Sequence, residues 1–250
     1  MRKRTCIIFF VLAGTTAIFA ADFSVSAGGG VYVGGLFTRY TLNADGRIGS
    51  NAVDVEAIQE MNQFNYGAFL FADATWVILC VGIQGGINNY KENIIFDSEG
   101  GIKSLTSGLG SETMLVLGLL GKYPFRLSER LTIFPMAGLE YQIALTQHRE
   151  PEGRTSYNRT DGIRETDVNG NPYKLSTWNS LFVDIGAGLD FSFSSSLYLR
   201  TELLYGFRLR TPYELDALEK TKTAVNAPNP KLNGLTSGPT LRVSAGWRFF

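Results

Sequence analysis

The chain has few of the residues that usually hold an exported protein together or give it chemistry. Its 250 residues include two cysteines, Cys6 and Cys80, and one histidine, His148. Cys6 lies in a leader expected to be removed, so no disulfide can form within the mature chain. One histidine and one remaining cysteine argue against a transition-metal site, and neither metal nor other cofactor is expected. Basic and acidic residues both number 23, so no basic excess is present to attract nucleic acid. A phosphate-binding loop is also lacking, because the Gly28-Gly29-Gly30 run reads as part of a strand. Beyond the leader, the longest dense apolar runs, 76–83 and 114–120, fall far short of the ~18 residues a spanning helix needs. Any passage through a membrane must therefore be made by strands.

The first twenty residues are set apart. Arg2, Lys3 and Arg4 precede an apolar stretch from Ile7 to Ala13 and a small-residue segment ending at Ala20-Ala21. This pattern predicts a secretory signal peptide over 1–20, leaving 21–250 as one domain. Its removal takes three cations away and leaves 20 basic against 23 acidic residues, a formal charge of −3. The rest is rich in glycine (28), phenylalanine (17) and tyrosine (11), which favours an all-β fold.

Alternation is clearest in the C-terminal half. From Leu181 the odd positions are apolar through Phe193, while Asp184 and Asp190 lie between them. After Ser194-Ser195-Ser196 the pattern resumes from Leu197 to Leu209, with Arg200 and Glu202 on the other face. Such a pair reads as a hairpin. Similar segments occur at 23–40, 64–72, 76–90, 113–125, 131–145 and 241–250, which makes eight strands. Three connections are tight, near Asp73-Ala74, Arg126–Arg130 and Ser194–Ser196. Four are long and polar, at 42–63, 91–110, 148–179 and 211–238.

Strict short-long alternation puts every long connection at one end. The expected fold is therefore a closed eight-stranded antiparallel transmembrane β-barrel with short periplasmic turns and four long extracellular loops. In hydrocarbon an unpaired backbone group costs several kcal/mol, so the sheet must close on itself. Glu140, Asp184, Asp190, Arg200, Glu202, Arg242 and Arg248 then point inward, since arginine at mid-depth on the lipid face would cost ~2–4 kcal/mol. A soluble eight-stranded barrel of lipocalin type is the structural rival, with its polar face outward. Within the loops, Thr211-Pro212-Tyr213-Glu214 has capping-box spacing and predicts a helix over 212–222. Val55, Ile58 and Met61 offer a weaker helical spacing, and Asp161-Gly162 and Asn169-Gly170 are turn signals. His148 is followed by no serine until Ser156, so it reads as a loop residue and no enzyme is expected.

Ile78, Cys80, Met114, Val116, Leu120, Phe134, Met136 and Phe182 also fall on the inward face, giving a partly greasy lumen. With this plan, the glycine-rich first strand 27–39 and the closing Gly246-Trp247-Arg248-Phe249, the chain resembles the small eight-stranded bacterial outer-membrane barrels. It is most nearly similar to the OmpW/OprG type, although OmpX- or OmpA-type barrels share most of these features. That resemblance implies an outer-membrane channel passing small, mainly hydrophobic solutes. A second reading is a non-transporting surface barrel with a salt-bridged plug, whose loops act as adhesin, antigen or shield toward host components. The last strand, Leu241–Phe250, resembles the C-terminal signal that barrel-assembly machinery reads, with Trp247, Phe249 and Phe250 as its aromatics. Phe249 fits the alternation, and Phe250 overhangs it.

Overall fold

The computed structural model describes residues 24–48, 51–97, 102–151, 157–158, 174–209, 211–224, 226–227 and 229–249. The proposed signal peptide, Phe250 and the turn signals at 161–162 and 169–170 lie outside these residues. Eight long strands form: β1 (Val25–Ile48), β2 (Asn51–Ala74), β3 (Val77–Asp97), β4 (Ile102–Lys122), β5 (Leu131–Pro151), β6 (Ser180–Ser192), β7 (Leu197–Arg208) and β8 (Lys231–Arg248). Each pairs antiparallel with the next, and β8 returns to β1 from Ser26↔Arg248 to Asn43↔Lys231. The sheet is closed.

The side-chain pattern separates a bilayer barrel from a soluble one. Outward residues such as Val31, Leu70, Ile83 and Leu203 are 58–65% exposed, while the charged partners of the alternation are buried inside. A water-soluble barrel would invert that pattern. Aromatics mark both edges of the apolar band. Tyr123–Phe125 and Phe191–Phe193 pack at the short-turn end, with ring centroids 4.9 and 5.3 Å apart. Toward the other end, Phe64–Tyr66 and Tyr205–Phe207 pack at 6.2 and 5.1 Å.

The turn between β2 and β3 falls at Thr75-Trp76, two residues beyond its expected place. Thr75 is held at φ 28°, and its backbone N–H donates to the Ser24 carbonyl at 3.0 Å. Ser24 N–H answers to Thr75 Oγ1 at 2.8 Å, so this left-handed turn is fastened to the start of β1. Asp73 is thereby part of β2 and points into the lumen, correcting its reading as a turn residue.

At the other end, the expected loops 42–63 and 91–110 are largely strand. β1 and β2 each run 24 residues, and β3 and β4 each run 21. At ~3.3 Å per residue, 24 residues span about 80 Å, well beyond what a tilted crossing of a ~25 Å apolar band needs. The two hairpins therefore stand clear of that band. Their outer face is polar there, with Arg39, Asp45, Asp54, Glu56 and Glu60 exposed. No helix forms around Val55, Ile58 and Met61: Val55 and Met61 point inward from β2, and Ile58 lies on its opposite face.

The helix expected at 212–222 is present as α1 (Pro212–Ala224). Its capping box is complete: Thr211 N–H donates to Glu214 Oε2 at 2.9 Å, and Glu214 N–H donates to Thr211 Oγ1 at 3.3 Å. Ala227, just beyond α1, is buried against Ala44, Val53 and Val55. A one-turn 3₁₀ helix, Leu175–Trp178, precedes β6 and buries Trp178. Both inserts sit at the long-connection end of the barrel.

Candidate functional site

The lumen is where a barrel of this size either conducts or does not, since eight strands leave room for little more than side chains. Its inner half is organised around Arg200. This guanidinium is 1% exposed. Nε donates to Asp190 Oδ1 at 2.7 Å, and Nη2 donates to Asp190 Oδ2 at 2.8 Å and Asp73 Oδ2 at 2.5 Å. Lys122 Nζ donates to the same Asp73 oxygen at 2.5 Å. The guanidinium also lies 5.0–5.2 Å from the ring centres of Phe71, Phe134 and Tyr198. Two carboxylates satisfy its charge while three rings close around it.

The next layer outward repeats the device with Arg242. It pairs with Glu140, whose other oxygen accepts from Gln142 Nε2 at 2.9 Å. Tyr32 and Phe69 flank this guanidinium at 5.9 and 5.5 Å. Glu202 lies 3.9 Å from Arg200 and is directly opposite Arg242 in the β7–β8 register. Five of the seven charged residues singled out from sequence, Asp190, Arg200, Glu202, Glu140 and Arg242, thus fall in these two tiers. Asp184 is buried near the outer tier, and Arg248 donates to Ser192 Oγ at 2.8 Å while lying over Tyr198.

Of the apolar residues named from sequence, Ile78, Cys80, Leu120, Phe134 and Met136 pack with Tyr32, Phe69, Phe71, Tyr198 and Leu204 in one cluster. Met114 and Val116 pack separately with Ala144 and Trp178, and Phe182 is buried nearby. Glycine makes this filling possible. Gly188 lies beneath the Phe134 ring and Gly246 beneath the Tyr198 ring, too close for a Cβ at either position.

The remaining space is broken up. A cavity of about 40 Å³ lies under α1, bordered by Gln63, Glu112, Trp178, Arg208 and Glu214. One of about 20 Å³ lies at Gln84, Asp184 and Arg242, and a wider mouth of about 490 Å³ opens below Arg200. The first two hold at most a few waters. Above them, Arg208 Nη2 donates to Glu214 Oε1 at 2.6 Å, tying the first turn of α1 to β7.

Sequence reasoning missed Asp73, Lys122, Tyr32, Phe69, Phe71, Tyr198 and Trp178 as members of this interior. The alternation held a signal for several of them: Phe69, Phe71 and Asp73 share one face of β2, as Tyr198, Arg200 and Glu202 do on β7. Trp178 carried no such signal, because it lies in an irregular segment. Trp247 faces outward on β8, opposite Ala27 and Leu197, and Phe249 N–H donates to the Val25 carbonyl at 2.8 Å. His148 lies near the outer end of β5, in register with Ser111 and Asn158.

Residues 10–249 match a family model described as outer membrane protein beta-barrel domain. No curated protein matches the chain. Among solved structures, Neisserial surface protein A is similar at 11% identity, over 87% of this chain and 95% of that one, with a TM-score of 0.32. OprG from Pseudomonas aeruginosa is similar at 10% identity, over 90% and 95%, with a TM-score of 0.30. The Yersinia pestis attachment invasion locus protein Ail, solved with the heparin analogue sucrose octasulfate, is similar at 12%, over 89% and 99%, with a TM-score of 0.26.

Proposed function

Because the chain belongs to the outer membrane protein beta-barrel domain family, and so resides in the outer membrane, we propose that it is a closed surface barrel that does not conduct solutes. Its lumen braces the structure, and its projecting hairpins and α1 are the parts that meet other molecules, host components among them. Arg200 carries this reading. It is bound by two carboxylates, enclosed by three rings and sits between separate cavities, so ions or solutes would have to displace it. The reading is non-enzymatic, with lipid around the barrel and the assembly machinery as partners on the membrane side.

Passage of small apolar solutes is the second reading, and the apolar packing of Met114, Val116 and Trp178 below the outer mouth favours it. A liposome-swelling assay separates the two. Liposomes carrying the wild-type barrel are expected to swell in small sugars no faster than protein-free liposomes. Calorimetric titration with small apolar solutes is expected to give no binding heat. Faster swelling would overturn the closed reading, and saturable heat would favour apolar-solute passage.

A further inference from the structure

Among the described residues, the outward wall is concave across β2 to β6, forming a groove of about 680 Å³ inside the apolar band. Strand pairing explains its shape. One side is a row of outward residues in register, Ala72↔Leu79, Leu79↔Leu119 and Leu119↔Leu139. The other is the parallel row Val81↔Leu117 and Leu117↔Tyr141. Between the rows the floor of the furrow is backbone at Cys80 and Gly118, whose own side positions face the lumen. Ala72 lowers one end of the first row. Five strands at ~4.8 Å spacing make the groove about 19 Å long.

We infer that this groove holds one acyl chain of an outer-leaflet lipid as a bound ligand, distinct from the exchanging lipid around the barrel. The groove is continuous with the lipid-facing band, so hydrocarbon is what reaches it. A second barrel presents a convex wall and could not fill a furrow between these two rows of side chains, whereas a single chain can. Polarity at one end fits the same occupant. Tyr141 OH borders the groove on the side toward the outer end of β5, where it accepts from Asn179 Nδ2 at 3.1 Å. A hydroxyl there can donate to the ester or hydroxyl oxygen where an acyl chain meets its headgroup.

Native mass spectrometry of the full chain, extracted from outer membranes in a mild detergent, tests this. Wild type is expected to retain one lipid per chain after phospholipid exchange. Ala72→Phe, which fills the groove from an outward position, should lose that lipid. Val243→Phe, on the lipid-facing side of β8, should keep it. Heat-modifiable migration and circular dichroism confirm that each variant is folded. Equal retention by Ala72→Phe and wild type would overturn the inference. So would crosslinks placing a second copy over Leu119.

Discussion

Replacing Arg200 with methionine should lower the unfolding free energy of the barrel by about 3–5 kcal/mol, read by denaturant unfolding in lipid vesicles. The change leaves Asp73 and Asp190 buried without the guanidinium that both contact. Lys122 can still serve Asp73, but Asp190 has no other ion partner among the described residues. Much of the loss should therefore return when Asp190→Asn is added, because an amide removes the stranded charge. A surface pair supplies the contrast. Arg39 and Glu60 meet at 3.6 Å but are 73% and 51% exposed, so Arg39→Met should change stability by less than ~1 kcal/mol. A loss under ~1 kcal/mol for Arg200→Met would mean that the inner tier is not the brace it is taken for.

Phe249→Ala should sharply reduce the amount of folded barrel in the outer membrane, whereas deleting Phe250 should leave most of it. The difference lies in register. Phe249 is fixed by its backbone bond to Val25 and continues the outward row of Leu241, Val243, Ala245 and Trp247, while Phe250 has the opposite parity. An assembly signal read as alternate outward side chains depends on the first and not the second. Band-shift quantification of membrane fractions checks this. Equal defects in the two variants would place the signal in the other register.

What could be read from the sequence divides at the edge of the bilayer. Inside it, one face meets hydrocarbon and the other a polar interior, so period-two alternation is imposed by solvent. The strands from Leu131 onward were legible for that reason. Beyond the edge, the outer face of β1 and β2 is polar, and the inner face mixes small and polar residues with Val53, Val55 and Met61. The alternation of apolar residues is therefore weak in the sequence, and Val55, Ile58 and Met61 can imitate a helix. A second loss of signal has a geometric cause. The β4–β5 register shifts between Thr113 and Met114, opposite Leu145, so Gln147 turns inward where the earlier alternation puts even positions there. α1 was legible because its start is fixed by local chemistry: Thr211 and Glu214 cap each other whatever the surroundings.

The lumen was legible as a list and not as an object. Parity put Arg200, Arg242 and their acidic neighbours inside, yet it could not separate a polar lining from a plug. That choice depends on which carboxylate reaches which guanidinium across the barrel, as Asp73 does to Arg200 over 127 residues. It also depends on glycines 188 and 246 making room for the Phe134 and Tyr198 rings. Neither relation leaves a trace in local spacing.

Current through a planar bilayer holding the wild-type protein tests the central claim most directly. A lumen filled by the Arg200 and Arg242 tiers predicts a current no greater than that of the protein-free membrane at any applied voltage. Steady, ohmic single-channel steps from the folded wild-type barrel would contradict it.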